Sequence, residues 1–135
     1  MVMAKEELTP SESEWRIMEV LWDTPEPLTS SGIIQKLQKV RSMNPKMVRV
    51  LLNRLCQKGI VGFTIDTEDA RVYHYFALKS KEECSIKKSR KFVESYFSGN
   101  QTSAMAALLQ SYTLTEEQIR ELEEILEKSR EKEGN

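Results

Sequence analysis

Apolar positions along this chain recur at helical spacing in six segments and alternate with polar ones in a single segment. The clearest helix is "NPKMVRVLLNRLCQKG". Asn44 is a suitable N-cap, Pro45 fits the first helical position and Gly59 supplies a left-handed stop. Between them Val48, Leu51, Leu52 and Leu55 fall on one stripe, which predicts burial against other elements. Lys46, Val50, Asn53 and Gln57 project from the opposite side, with Arg49 and Arg54 flanking them. That face is basic and amide-rich, without the Glu that a solvated helix uses to pair with Lys.

Upstream, "LTPSESEWRIMEVLWD" reads as a helix opened by a Thr9/Glu12 capping box with Pro10 at its first position and Trp15, Met18, Leu21 and Trp22 inward. After Pro25 and Pro27 a second helix starts at Thr29 and buries Ile33, Ile34 and Leu37. The turn "RSMN" joins it to the basic helix, which makes a helix-turn-helix. Downstream, two β-rich runs, Ile60 to Ile65 and Arg71 to Phe76, flank a polar loop and predict a hairpin with Val72, His74 and Phe76 on one face and Arg71, Tyr73 and Tyr75 on the other. The order is that of a winged helix.

From Ser80 onward three amphipathic helices follow, the first and last opened by the capping boxes Ser80/Glu83 and Thr115/Gln118. Their apolar positions are Ile86, Val93, Tyr96 and Phe97, then Met105, Leu108, Leu109 and Tyr112, then Ile119, Leu122, Ile125 and Leu126. Three such helices after a complete small domain need a surface to bury against. The same segment of a second chain supplies one, and folding back on the N-terminal domain is the alternative. The expected fold class is mainly α with a small β-hairpin wing: a winged helix-turn-helix DNA-binding domain over 1–79 and a C-terminal helical dimerisation region over 80–135.

Charge sharpens the picture. The chain's formal net charge is only -1, yet between Glu26 and Asp66 it has no carboxylate and carries Lys36, Lys39, Arg41, Lys46, Arg49, Arg54 and Lys58. One sign of charge gathered in one region points to a polyanion partner for that region. Charged residues at 30% and hydrophobic ones at 39% describe a globular chain rich in surface helix. With no apolar leader and no long apolar run, the expectation is a cytoplasmic protein without a membrane partner. Cys56 and Cys84 form no C-x-x-C pair, and the lone His74 has no Ser, Cys or Asp constellation around it, so neither a metal, a cofactor nor an enzyme is expected.

"SESEWRIMEVLW", "NPKMVRVLLNRLCQKG" and "RVYHYFAL", in that order and followed by three helices, resemble the penicillinase repressor family over nearly the whole chain. The resemblance implies a homodimeric winged-helix repressor on a double-stranded, palindromic operator, controlling antibiotic-resistance or copper-export genes. The family commonly has threonines where this chain has Met47 and Val50, and a glycine where it has Ala70. The copper-responsive branch has a cysteine-rich tail; here the tail is "EKSREKEGN". In antibiotic-responsive members a protease cuts the short helix of the C-terminal region, which places the implied regulatory cleavage at Ala107–Leu108; loss of affinity on ligand binding is the alternative.

The expected DNA-binding residues are Lys36, Lys39, Arg41, Asn44, Lys46, Met47, Arg49, Val50, Asn53, Arg54 and, in the wing, Arg71. Lys46 and Arg49 suit phosphates or guanine edges, Asn53 a base edge and Val50 a thymine methyl, while Lys36, Lys39 and Arg54 suit backbone phosphates. Asp66, Glu68 and Asp69 around Arg71 would repel phosphates. A winged-helix module devoted to protein–protein contact is the alternative function.

Overall fold

The computed structural model describes residues 8–39 and 43–133. These form six helices and one hairpin: α1 (Glu12–Asp23), α2 (Ser30–Gln38), α3 (Pro45–Gln57), β1 (Val61–Ile65), β2 (Tyr73–Ala77), α4 (Lys81–Phe97), α5 (Gln101–Ser111) and α6 (Glu116–Glu133). The contacts divide the chain into two compact units, Met1–Lys91 and Phe92–Asn135.

In the first unit α1, α2 and α3 close around one core. Val48, Leu51, Leu52 and Leu55 of α3 are at most 2% exposed and pack with Ile17, Met18 and Leu21 of α1, Ile33 and Leu37 of α2, and Ile60 and Val61 at the entry to β1. The α3 ends follow local chemistry: Asn44 Oδ1 accepts from the Lys46 N–H at 2.8 Å, and Gly59 takes φ 76°, where a side chain would be strained. The α1 cap differs from the expectation. Ser11, not Thr9, caps the helix, its hydroxyl accepting from the Glu14 N–H while Glu14 Oε1 accepts from the Ser11 N–H. Glu14 is 1% exposed and meets Lys58 Nζ at 2.5 Å; Lys58 also donates to the Thr9 carbonyl. The capping carboxylate thus also serves as the ion-pair partner at the C-terminus of α3.

The strands pair antiparallel with Phe63 opposite Tyr75 and Ile65 opposite Tyr73. They are one residue shorter at the start of β1 and shifted by two at the start of β2 relative to the sequence reading, because 66–72 folds as a wing loop. Leu28 adds a bridge, exchanging backbone hydrogen bonds with Tyr75 at 2.9 and 2.7 Å. Gly62 admits the Phe76 ring so closely that an added Cβ would lie 3.0 Å from it.

The division between units lies inside α4, beyond the 79/80 boundary expected from the sequence. Cys84 is 3% exposed in the first unit's core, and Lys88 Nζ donates to the Pro10 carbonyl at 2.8 Å, so the first turns of α4 belong there. In the second unit the Phe92 ring packs near those of Tyr96 and Phe97, with centroids 5.4 and 5.7 Å away. Asn100 caps α5, its side chain accepting from the Ser103 N–H, and Thr115 and Gln118 exchange both capping-box bonds at the start of α6. Within this unit Ile125 and Leu126 are 59% and 63% exposed, and Met105, Leu108, Leu109 and Tyr112 are exposed as well.

Candidate nucleic-acid interface

The outward face of α3 borders a groove of about 1190 Å³ whose other wall is the β-hairpin. Lys46, Arg49, Val50, Asn53 and Arg54 line the helix side; Phe63, Tyr73, Tyr75 and Arg71 line the hairpin side; Ser30 and Ser31 at the start of α2 also line it. The geometry follows from periodicity. A stripe buried at Val48, Leu51, Leu52 and Leu55 turns the intervening positions outward. Val50 is 42% exposed and Met47 50%, so two apolar side chains sit among the cations on the surface.

The cations of the helix wall are chemically available. Among the described residues no carboxylate lies within ion-pair distance of Lys46, Arg49 or Arg54, so their field acts on the groove. Asn44 is committed to its cap through Oδ1, Lys36 and Lys39 are exposed on and just after α2 outside the groove lining, and Arg41 lies outside the described residues. Lys58, although part of the acid-free run, is taken by Glu14 and works inside the fold.

The hairpin wall carries residues that the sequence reading did not single out for binding. The Phe63 and Tyr73 rings stack with centroids 4.7 Å apart and planes 21° apart, and Tyr75 stands 6.2 Å from Phe63. The strand alternation contained this information for Tyr73 and Tyr75; the cross-strand register adds Phe63. Burial pushes the Tyr75 hydroxyl above its usual range, with the Cys56 thiol and Tyr73 adding to the rise and Arg49 opposing it. Burial likewise raises Cys56 and Cys84.

At the wing tip Asp66 organises the loop: its Oδ2 accepts from the N–H groups of Glu68 and Asp69, both at 3.0 Å, and its Oδ1 meets His74 Nε2 at 3.0 Å. The His74 bond, then these two backbone donors, hold the Asp66 carboxyl below the usual carboxylate range. Arg71 does not stand free. Its guanidinium bonds Asp69 through Nε at 3.1 Å and Nη2 at 3.2 Å, and its backbone N–H meets the same carboxylate, which lowers the Asp69 pKa.

A hairpin beside the second helix of a helix-turn-helix, walling an open basic groove, is the layout of a winged-helix DNA reader. The penicillinase repressor family model matches residues 10–128. The chain belongs to the penicillinase repressor family. This repressor is 27% identical over 118 residues to the methicillin resistance regulatory protein MecI of Mammaliicoccus sciuri, covering 87% of this chain and 93% of that one. It is 29% identical over 125 residues to the penicillinase repressor of Bacillus licheniformis, covering 91% and 94%. Among solved structures it is similar to the hsRosR-S4 complex, with TM-score 0.50 at 13% identity over 78% of this chain and 90% of that one. It is also similar to the DNA-binding domain of the repressor BlaI, with TM-score 0.48 at 24% identity over 56% and 90%.

Membership makes this chain a DNA-binding transcriptional repressor, in a family of regulators rather than enzymes. Among the described residues no group of three His, Cys, Asp or Glu side chains comes together as a metal site, and no helix is long and apolar enough to cross a membrane.

Proposed function

We propose that this repressor acts in the cytoplasm as a homodimer on a pseudo-palindromic operator, each α3 entering the major groove of one half-site about one helical turn from the other. The observation that carries the reading is the outward face of α3, where Lys46, Arg49, Asn53 and Arg54 stand over the groove without acidic partners while the opposite stripe is fully buried. Arg49 and Asn53 read base edges, Val50 and Met47 meet thymine methyl groups, and Lys46, Arg54, Lys36 and Lys39 hold phosphates. The exposed Ile125 and Leu126, together with Ile119 and Leu122, supply the apolar surface for the second chain. Occupying the promoter then blocks transcription of an antibiotic-resistance or related stress operon, the regulatory context in which the relatives are named.

Induction by a regulatory protease fits this arrangement. Ala107 and Leu108 lie in the middle of α5, and a cut between them detaches α6 from the DNA-binding unit. The helix must open first, and α5 has only Ala104 fully buried to hold it closed.

The test is duplex selection from random sequence at low salt, followed by a salt titration on the selected site. Affinity should fall roughly 10³-fold or more from about 50 to 200 mM salt if about six phosphates are neutralised. Arg49→Ala and Asn53→Ala should each cost about 1–3 kcal/mol and relax specificity. Absence of any selected duplex would leave the chain as a protein-contact module.

A further inference from the structure

The hairpin presents two surfaces to the groove, a charged tip and an aromatic face. The tip is net negative: Arg71, its side chain exposed, pairs on two nitrogens with Asp69, and Asp66 and Glu68 stand in the same loop, three carboxylates against one guanidinium. The turn is built to keep it so. Asp66 Oδ2 binds the Asp69 N–H, which fixes the residue that holds Arg71, and the Arg71 N–H returns to the same Asp69 carboxylate. A phosphate approaching this tip meets net negative charge and competes with Asp69 for the guanidinium.

The aromatic face is open. Phe63 is 43% exposed, stacked on Tyr73, with Tyr75 behind it, and all three line the groove opposite Arg49 and Arg54. The strand of a duplex that borders a helix-filled major groove runs along that helix's flank. Here the flank is this groove. A sugar-phosphate strand alternates anionic phosphates with the apolar C–H faces of deoxyribose, so a groove with cations on one wall and rings on the other matches both parts of it.

We propose that the hairpin touches the operator through Phe63, Tyr73 and Tyr75 against deoxyribose, and that Arg71, locked to Asp69, is not a phosphate anchor. The inference rests on the reading that α3 enters the major groove. The rings add affinity by covering apolar sugar surface, so their contribution is independent of salt. A phosphate contact releases counterions and steepens the salt dependence by about 0.9 in the log–log slope.

The experiment titrates the full-length protein and its variants on the selected duplex at several salt concentrations, with Arg49→Ala as reference. Phe63→Ala and Tyr73→Ala should weaken binding by roughly 3- to 10-fold each at every salt concentration, with parental slope. Arg71→Ala should leave the salt slope at the parental value, whereas Asp69→Asn, which removes one carboxylate from the tip and frees the guanidinium, should tighten binding and steepen the slope. If Phe63→Ala lowers thermal stability, Phe63→Thr keeps a good strand former at the position while removing the apolar ring, and the same loss is expected from it. Parental affinity in the Phe63 and Tyr73 variants, or a slope reduced by about 0.9 in Arg71→Ala, overturns the inference. If Arg49→Ala also binds as the parent does, the placement of α3 falls first.

Discussion

Helices α3 and α6 carry the same kind of apolar stripe and meet different fates. In α3 the stripe Val48, Leu51, Leu52 and Leu55 is at most 2% exposed, covered by α1, α2 and the base of the hairpin. In α6 the stripe Ile119, Leu122, Ile125 and Leu126 ranges from 36% to 63% exposed. Amphipathic spacing creates a face that must be covered; it does not say what covers it. For α3 the cover is within the chain, so truncating the stripe acts on folding. For α6, under the dimer reading, the cover is a second chain, so the same truncation acts on assembly.

The largest expected effect tests the first half of that contrast. Leu52→Ala should destabilise the first unit by about 2–5 kcal/mol in denaturant unfolding, since the side chain is 1% exposed in a filled core. A loss below half a kilocalorie would mean that the core is not closed as described. Next, Leu126→Asp, at 63% exposure, should leave the folding of the first unit unchanged. Sedimentation equilibrium should show its dimer weakened by roughly 10- to 100-fold, the cost of placing a carboxylate in an apolar interface. An unaltered dimer would move the interface off α6.

The smallest effect separates the wing from both helices. Asp66 is held below the ordinary carboxylate pKa by His74 and by the N–H groups of Glu68 and Asp69. A depressed folded-state pKa stabilises the fold above the unfolded value and loses that contribution as pH falls through the lower folded value. Protection factors of the amides in 66–72, corrected for the intrinsic exchange rate at each pH, should therefore fall on acidification below about pH 4 while those of α3 stay high, and Asp66→Asn should remove the dependence.

Local chemistry made much of this legible. The α3 cap, stop and buried stripe, the α6 capping box and the alternation in β2 all rest on residues within one or two turns of each other. The α1 cap was not legible in the same way, because two overlapping frames, Thr9/Glu12 and Ser11/Glu14, satisfy the same rule. Ser11 wins in a fold where Glu14 meets Lys58, a partner 44 residues away. Distance also hid the role of Lys58, which charge counting grouped with the groove cations. The pairing of Arg71 was hidden for the opposite reason. Its partner Asp69 is only two residues off, yet a loop conformation, not a sequence period, brings their side chains together. Phe63 joins the groove through strand register, which neither strand specifies alone.

The two tryptophans of the chain, Trp15 and Trp22, sit together in α1, their ring centroids 5.1 Å apart, with the Trp22 indole N–H donating to the Lys79 carbonyl. The second unit has no tryptophan, and its tyrosines are Tyr96 and Tyr112. Emission excited beyond the tyrosine band therefore reports the winged helix alone, whereas far-ultraviolet dichroism also weights α5 and α6. Each unit thus has its own spectroscopic window without any label. Superimposable melts from the two signals would mark one cooperative transition, and separated midpoints would mark two.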